Sequence, residues 1–423
     1  MRSFTALLFI LLAGLSATGV KAATFTTIYK FCPTTSCKEG SEPIGPLIVD
    51  EVGNLYGTAS IGGKNDGGVV FKLTANPDRT EWAYKVLYYF CHKGIPCSDG
   101  FRPIGGLIRD INGALYGVAQ EGGGNNGRGT LYRLSPDIDG VHWTYQVMHK
   151  FCGSDTCEDN SAYPVTSLTY DGAQTGALYD GVSRLYGGIN RLGATPYGGI
   201  YSLTPRGRSW KYSAAYDFCC DEIPSGTPLF VDGSLYGLTA EGGDFDSGSF
   251  YRLSPSQGDT WTHTLLYSFD NTQGSTGGSF PVGPLVRTDS GKFFGTTETA
   301  VGIFSITVGN KKTTERGRYT FCQLDQCADG SRAYNGLIAG ADGVFYGATE
   351  QGGSSQIIQQ GAGTVFTFRN GKLATLHTFC TEQNCPDGYL PVALTMDNQA
   401  NIFGVTTYGG NGIFDGTVFE ITP

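Results

Sequence analysis

The sequence predicts an all-β fold, a seven-bladed β-propeller of four-stranded antiparallel blades, and three observations support this prediction. Glycine contributes 64 of the 423 residues, roughly twice its average share of about 7%. Such a composition disfavours helices, because each interior glycine costs a helix about 1 kcal/mol. A short motif recurs seven times along the chain, and the two ends of the chain carry complementary parts of one repeat.

The first residues have the pattern of a secretory signal peptide. Arg2 precedes an apolar run over residues 4–15, and small residues follow up to Ala22. A run of about 12 apolar residues is too short to span a bilayer, so we expect cleavage near Ala22 rather than an anchor. We therefore expect a signal peptide over residues 1–22, a single propeller domain over residues 23–423, and a secreted or periplasmic protein.

The recurring motif combines a large apolar residue, an aromatic residue and glycine. Its seven copies begin at Leu55, Leu115, Leu185, Leu235, Phe293, Phe345 and Ile402. An apolar run precedes each copy. After each copy come a glycine-rich loop, a second apolar strand and a further strand. This last strand ends with the pattern Tyr or His, any residue, Phe. Each repeat thus offers four strands, a to d, and such units close most naturally as a propeller.

The ends of the chain support closure of the ring. The part that follows the signal peptide begins with a d strand over residues 25–31, and the chain ends with a c strand over residues 417–421. We expect the N-terminal strand to complete the last blade, because closure removes exposed sheet edges. An open β-solenoid is the alternative, and it would not require ends in complementary phase.

The second repeat carries a resemblance to a known family. The residues that carry it are Asp99-Gly100, Gly106-Leu107-Ile108, Leu115-Tyr116-Gly117, Gly122-Gly123, Gly127 and Gly129-Thr130-Leu131-Tyr132. This run resembles the GloVer tandem repeat of secreted bacterial proteins, with its Leu-Tyr-Gly-Thr-Thr, Gly-Gly and Gly-Thr-Val-Phe signature. The resemblance covers nearly all of the chain after residue 22 and implies an exported, propeller-like repeat array. It implies no particular activity, and the cysteine pairs depart from the signature.

Cysteine spacing predicts local disulfides. The 12 cysteines form six pairs: Cys32/Cys37, Cys91/Cys97, Cys152/Cys157, Cys219/Cys220, Cys322/Cys327 and Cys380/Cys385. Zinc sites favour shorter Cys-x-x-Cys spacing with a second pair nearby, so we expect disulfides and no metal. The adjacent Cys219 and Cys220 form either a strained vicinal disulfide or two thiols with other roles, and we favour the disulfide.

Other repeated polar residues fit the framework better than a catalytic site. An acidic residue lies two places after the second cysteine of five loops: Glu39, Asp99, Asp159, Asp329 and Asp387. These side chains either form a ring of carboxylates or stabilise turns, and their regular repetition favours turns. His149, His263 and His377 occupy positions that hold tyrosine in other repeats. No Ser/His/Asp constellation or metal spacing is apparent.

Residues that differ between repeats are better candidates for ligand binding. At the entry to strand a, near the mouth of the central channel, the chain places Glu42, Arg102, Tyr163, Arg332 and Tyr389. This mixed polar, charged and aromatic set suits a carbohydrate or peptide ligand. Drift among solvated loop residues is the alternative interpretation. We expect any ligand to bind on the face that carries the cysteine loops.

The sequence favours a non-catalytic, monomeric propeller that binds a surface glycan or a protein and needs no cofactor. The net charge of −9 and the lack of basic clusters argue against nucleic acid. Arg102 and Arg332 would suit an acidic glycan. The enzymatic alternative is a polysaccharide lyase with a Tyr or His base, for which Tyr163, Arg102 and Arg332 are the candidates. A structural envelope protein without a small ligand is the third interpretation.

Overall fold

The computed structural model confirms the predicted propeller. It describes residues 23–34, 36–124, 127–152, 161–192, 198–207, 209–219, 222–257, 259–271, 278–299 and 302–422. These residues form seven antiparallel sheets with four strand positions each. The expected signal peptide, residues 1–22, lies outside the described residues, and its cleavage stays a prediction.

Twenty-nine strands build the blades, each blade running from its innermost to its outermost strand. Strand β1 (Thr24–Lys30) belongs to blade seven. Blade one contains β2 (Ser41–Pro43), β3 (Ile48–Val49), β4 (Leu55–Ile61), β5 (Val69–Ala75) and β6 (Trp82–Tyr89). Blade two contains β7 (Phe101–Arg109), β8 (Leu115–Glu121), β9 (Thr130–Pro136) and β10 (Trp143–Lys150). Blade three contains β11 (Ser161–Pro164), β12 (Leu185–Leu192), β13 (Gly199–Arg206) and β14 (Ser209–Asp217).

The remaining blades repeat this order. Blade four contains β15 (Pro224–Val231), β16 (Ser234–Thr239), β17 (Ser249–Pro255) and β18 (Trp261–Ser268). Blade five contains β19 (Ser279–Arg287), β20 (Phe293–Thr299), β21 (Ile303–Val308) and β22 (Thr313–Tyr319). Blade six contains β23 (Leu337–Ala339), β24 (Phe345–Thr349), β25 (Thr364–Arg369) and β26 (Lys372–Thr378). Blade seven contains β27 (Tyr389–Met396), β28 (Ile402–Tyr408) and β29 (Thr417–Thr422). Short 3₁₀ segments occur at Lys64–Asp66, Ala173–Thr175, Asp325–Cys327 and Ala341–Gly343.

The hydrophobic core lies between neighbouring blades. The middle strands b and c are buried on both faces, and the first five residues of β8 are all buried. One cluster joins Leu55 and Phe71 of blade one to Phe403 and Val418 of blade seven. Since each blade must bury both faces against its neighbours, its middle strands are apolar at consecutive positions rather than at alternate ones.

The glycine of the recurring motif is required by close packing inside each blade. A Cβ at Gly117 would lie 2.4 Å from the Tyr132 hydroxyl oxygen on the adjacent strand c. Gly295 stands in the same relation to the ring of Phe304, at 2.5 Å. The motif glycine therefore marks the point where an aromatic ring from strand c crosses the backbone of strand b. Any residue with a Cβ would clash with the ring there.

The N-terminal strand closes the ring as predicted. Strand β1 pairs antiparallel with β29, with Thr24 opposite Thr422 and Lys30 opposite Thr417. Its side chains also contact both neighbouring blades: Phe25 stacks on His377 of blade six, with ring centroids 3.5 Å apart, and Tyr29 stacks on Tyr84 of blade one at 4.2 Å. Loss of β1 would leave an open sheet edge and two incomplete blade interfaces.

We predict that deletion of residues 23–31 lowers the melting temperature sharply or causes aggregation, because strand c of blade seven then lacks its partner. A synthetic peptide of residues 23–31 should restore the melting temperature of the truncated protein. Thermal unfolding with and without the peptide measures both effects, and unchanged melting after truncation would contradict the pairing.

Stacked aromatic rings join the outer strands of successive blades. Tyr88 stacks on Tyr145 with centroids 3.7 Å apart, His149 on Tyr212 at 5.4 Å, and Tyr216 on His263 at 4.7 Å. The repeated histidines thus belong to the framework, as their register predicts.

Between blades four and five the second ring is replaced by Glu315, which is only 8% exposed. Burial raises the pKa of Glu315 to about 7, against the weaker opposing effects of Tyr267 and Arg318.

We predict that Glu315→Gln stabilises the protein above neutral pH. A carboxyl group whose folded pKa is raised binds its proton more tightly when folded, so the wild type loses stability as the pH rises from about 4.5 to 7. At pH 8 the variant should gain on the order of 2 kcal/mol in unfolding free energy, and at pH 4 the difference should vanish. Urea unfolding at both pH values tests this, with the exposed Glu81→Gln as control. An equal effect at both pH values would refute it.

Candidate functional site

The disulfide loops and the glycine-rich loops lie on one face and are hydrogen-bonded together. Four of the predicted disulfides are present: Cys32–Cys37, Cys91–Cys97, Cys322–Cys327 and Cys380–Cys385. In each case the carbonyl of the second cysteine accepts an N–H from the glycine-rich loop of the same blade. The donors are Gly63, Gly123, Gly353 and Gly410, each at 2.8–2.9 Å. The disulfides thereby hold the rim around the channel.

Of the remaining four cysteines, the structure describes two, Cys152 and Cys219. Cys152 is disulfide-bonded, and Cys157 lies outside the described residues. Cys219 is a free, exposed thiol, so the vicinal disulfide expected for it is wrong; Cys220 lies outside the described residues. Consecutive Cα atoms are about 3.8 Å apart, below the usual disulfide range that starts near 4.4 Å, so an adjacent pair must be strained to join.

The acidic residue after three of the disulfides has a structural role, whereas a buried oxygen of Glu39 has no hydrogen-bond partner among the described residues. Asp329 Oδ2 accepts the Tyr319 hydroxyl at 2.8 Å and the Gln323 backbone N–H at 3.2 Å. Asp99 accepts the Tyr88 hydroxyl at 2.7 Å, and Asp387 is 2.9 Å from the His377 ring nitrogen. The turn interpretation is therefore confirmed for these three residues, whereas Asp159 lies outside the described residues.

We predict that Asp329→Ala costs about 1–3 kcal/mol of unfolding free energy, because it leaves a buried hydroxyl and backbone N–H groups without their acceptor. Asp329 is 1% exposed. The exposed Asp325→Ala, in the same loop, is the control and should change stability little. Denaturant unfolding measures both, and equal effects of the two substitutions would refute the structural role.

The entries to the inner strands combine a fixed backbone with variable side chains. Glu42, Arg102, Tyr163 and Arg332 adopt φ angles of 51°, 56°, 48° and 57°. The N–H of Arg102 donates to Gly67 O at 3.0 Å, and that of Tyr163 donates to Arg128 O at 2.8 Å, each in the preceding blade. The backbone at these entries therefore belongs to the framework, which leaves the side chains free to differ.

A cavity of about 570 Å³ occupies the central channel. The inner strands approach one another there through glycine: a Cβ at Gly45 would lie 2.4 Å from the Gly105 carbonyl carbon, and one at Gly226 would lie 2.1 Å from Gly283 O. Polar side chains that line the cavity include Gln120, Thr166, Tyr334, Asn335 and Glu350. The glycines narrow the ring, and these side chains give the cavity its chemistry.

Two of the predicted binding residues are close enough to interact electrostatically. Arg102 lowers the pKa of Glu42, although burial has the larger, opposite effect and leaves that pKa raised. Arg102 also lies 3.5 Å from Glu121. The Tyr389 hydroxyl donates to Ile413 O at 3.1 Å. These residues occupy blades seven, one and two, and the lining of the central cavity, as far as the structure describes it, includes none of them.

The remaining predicted residues lie in blades three and six. Tyr163 is in blade three, with the Arg128 guanidinium 5.9 Å from its ring centroid. Arg332 is in blade six. Among the described residues, no hydrogen bond or ion pair joins Arg102, Tyr163 and Arg332 to one another, so the structure supplies no contact that unites the residues considered for a lyase.

Sequence reasoning missed a cluster at the boundary of blades five and six. The Tyr334 hydroxyl donates to Glu298 Oε1, and the Glu350 backbone N–H donates to Arg332 O at 3.0 Å. Burial raises the pKa of Glu350 to about 7; Glu298 adds to this shift, while Arg332 and Asn335 oppose it. Glu298 and Glu350 occupy one repeat position at the end of strand b, which is acidic in these two repeats alone. That pattern could have revealed the cluster.

Blades five and six each lack one framework feature found in other blades, although the Cys322–Cys327 disulfide lies between them. No cysteine pair precedes blade five. Residues 300–302 alone connect β20 to β21, whereas residues 350–363 connect β24 to β25. Ala333 stands where other blades have proline, such as Pro103, which packs beside Gly68 of the preceding blade.

Comparison with known proteins supports the repeat type. The model of the Gloeobacter/Verrucomicrobia repeat family matches residues 16–184, which confirms the resemblance over that part of the chain. No curated protein matches this sequence. Among solved structures, puromycin hydrolase is 10% identical with a TM-score of 0.50, over 90% of this chain and 52% of that one. At this identity the likeness concerns the fold alone.

Two further solved structures are similar at lower TM-scores. A Lactobacillus plantarum protein is 14% identical over 88% of this chain and 99% of its own, with a TM-score of 0.47. A putative 6-phosphogluconolactonase from Bacteroides uniformis is 12% identical over 78% of this chain and 83% of its own, with a TM-score of 0.46.

Within the described part of this chain, no helix has the length and apolar character needed to cross a membrane.

Proposed function

We propose that this chain, whose residues 16–184 match the Gloeobacter/Verrucomicrobia repeat, is an exported propeller that binds a glycan at the mouth of its central channel. What supports the proposal is a cavity of about 570 Å³ in the central channel, together with the mixed set of side chains at the entries to the inner strands. Disulfides fit an exported protein, because they persist in oxidising compartments. The ligand-binding face is the one that bears the disulfide loops.

The chemistry of the mouth suits sugar hydroxyl groups. Each hydroxyl both donates and accepts hydrogen bonds, so it can pair with a carboxylate such as Glu42 and with a guanidinium such as Arg102. The rings of Tyr163 and Tyr389 add flat apolar surface beside these groups. A small number of convergent polar groups around a largely apolar pocket is the usual design of a small-ligand site.

Charge pairing favours a neutral glycan over the acidic glycan that the two arginines alone would suggest. Arg102 faces Glu121 at 3.5 Å and also Glu42. Arg332 acts on Glu350, beside Glu298. An acidic ligand would compete with these carboxylates for each guanidinium, whereas a neutral sugar can use both partners.

We predict that the double variant Arg102→Ala/Arg332→Ala loses at least tenfold in glycan affinity, because both exposed guanidinium donors at the mouth are removed. Melting should change little, since exposed loop substitutions usually cost under about 0.5 kcal/mol. Binding is measured on an array of neutral and acidic glycans. The control is Arg206→Ala/Arg369→Ala, which removes two exposed arginines from the opposite face.

Each outcome of this experiment bears on the proposal. Loss of binding in the first variant alone supports the mouth as the site. Equal loss in both variants, or retained binding in the first, would contradict the site assignment. A wild-type protein that binds no glycan of either class would contradict the proposed function and favour the protein-ligand or structural interpretations.

A further inference from the structure

The boundary of blades five and six holds ionisable groups that binding alone does not require. Glu298 lies at the end of β20 and Glu350 directly after β24, at equivalent positions of neighbouring blades. In the other blades this position is occupied by uncharged residues: Ser60, Gln120, Asn190, Ala240 and Thr407. Carboxyl groups therefore occupy this position on two adjacent blades only.

The surroundings of the two carboxyl groups differ. Glu298 Oε1 accepts the hydroxyl proton of Tyr334 in a hydrogen bond, which fixes its orientation. Glu350 lines the central cavity together with Asn335. Burial and the charge of Glu298 raise the pKa of Glu350 to about 7, so this group retains a proton where a carboxyl group is ordinarily ionised. Two carboxyl groups held in different environments are the arrangement by which acid and base roles are separated.

We infer that Glu350 and Glu298 form an acid–base pair that hydrolyses a glycosidic bond of a neutral polysaccharide bound at the mouth. This inference rests on the proposed glycan binding and adds a reaction to it. Glu350 lines the central cavity with Tyr334 and Asn335. Glu298, which accepts the Tyr334 hydroxyl, lines the adjoining pocket with Arg332. Glycoside hydrolysis commonly uses two carboxyl groups that flank the bond to be broken.

The reaction balances with water as the only co-reactant. Glu350 donates its proton to the glycosidic oxygen while the bond between that oxygen and the anomeric carbon breaks. A water molecule attacks the anomeric carbon, and Glu298 accepts the proton that the water loses. The products are a sugar with a new reducing end and a sugar with a free hydroxyl group. Exchange with solvent then returns a proton to Glu350 and removes one from Glu298.

The neighbouring residues act as positioning residues in this scheme. Tyr334 holds the Glu298 carboxylate through its hydroxyl. The exposed Arg332 guanidinium stands at the opening, where it can donate to sugar hydroxyls. Burial has the largest effect on the pKa of Glu350; of the charged groups that act on it, Arg332 lowers this pKa and Glu298 raises it, and together they set the pH range over which Glu350 can act as an acid.

The test incubates the purified protein with a panel of neutral polysaccharides: xylan, mannan, galactan, β-glucan and α-glucan. New reducing ends measure cleavage, and affinity electrophoresis in the same polysaccharides measures binding. We expect cleavage of one of them, with a rate that falls as the pH rises through about 7. Glu350→Gln should lower this rate 10²–10⁴-fold, as loss of a general acid does, while affinity changes less than threefold. Glu241→Gln, at the end of another strand b on the same face, is the matched control.

The readouts separate failure of this inference from failure of the proposed function. Binding without cleavage by the wild type, or full activity in Glu350→Gln, would overturn the acid–base pair and leave glycan binding intact. Absence of both binding and cleavage would overturn both proposals. Melting curves of each variant establish that it is folded, and Glu298→Gln provides a second variant that should also lose cleavage but keep binding.

Discussion

The pairing of β1 with β29 is the contact on which the rest of the structure depends. A propeller blade buries both faces only if it has a neighbour on each side, and the ring provides two neighbours for every blade only when it is closed. Strand β1 supplies the outer strand of blade seven and stacking partners in blades six and one. The central channel and its mouth exist because this closure holds the seven inner strands in one ring.

Much of the fold could be predicted because the repeated residues are the ones that make the packing contacts. The motif glycine marks the crossing of an aromatic ring, as Gly117 does for Tyr132. The Tyr or His before the terminal Phe of strand d marks a stack with the next blade, as Tyr88 does with Tyr145. The phase of the two chain ends predicted closure. These features are local or periodic in the sequence, so spacing alone reveals them.

The site could be predicted only in part, because its groups meet across blades. The residues Glu42 and Arg102 were expected at the entry to strand a, because they occupy equivalent positions in adjacent repeats. The Tyr334–Glu298 hydrogen bond joins two different repeat positions of two blades, and the burial of Glu350 depends on the whole channel. The free thiol of Cys219 escaped prediction because the spacing that revealed the other pairs has no equivalent for adjacent cysteines.

The functions proposed for this protein depend on positions where the repeats differ. Around most of the ring, disulfides, glycine–proline contacts and acidic turn residues hold the rim, and their side chains are committed to the framework. Blade five has no preceding cysteine pair, and blade six has Ala333 in place of the proline; Glu298, Arg332 and Glu350 lie in these two blades. The repeated positions form the framework of the fold, and the proposed binding and acid–base groups lie at positions that differ between repeats.

The most direct test of this account is hydrogen exchange measured by mass spectrometry with and without a bound neutral oligosaccharide. The account predicts protection of the strand-a entries on the disulfide face, over residues 41–46, 101–106 and 331–336, and unchanged exchange in the c–d turns over residues 76–81 and 137–142. Protection confined to the c–d turns would contradict it.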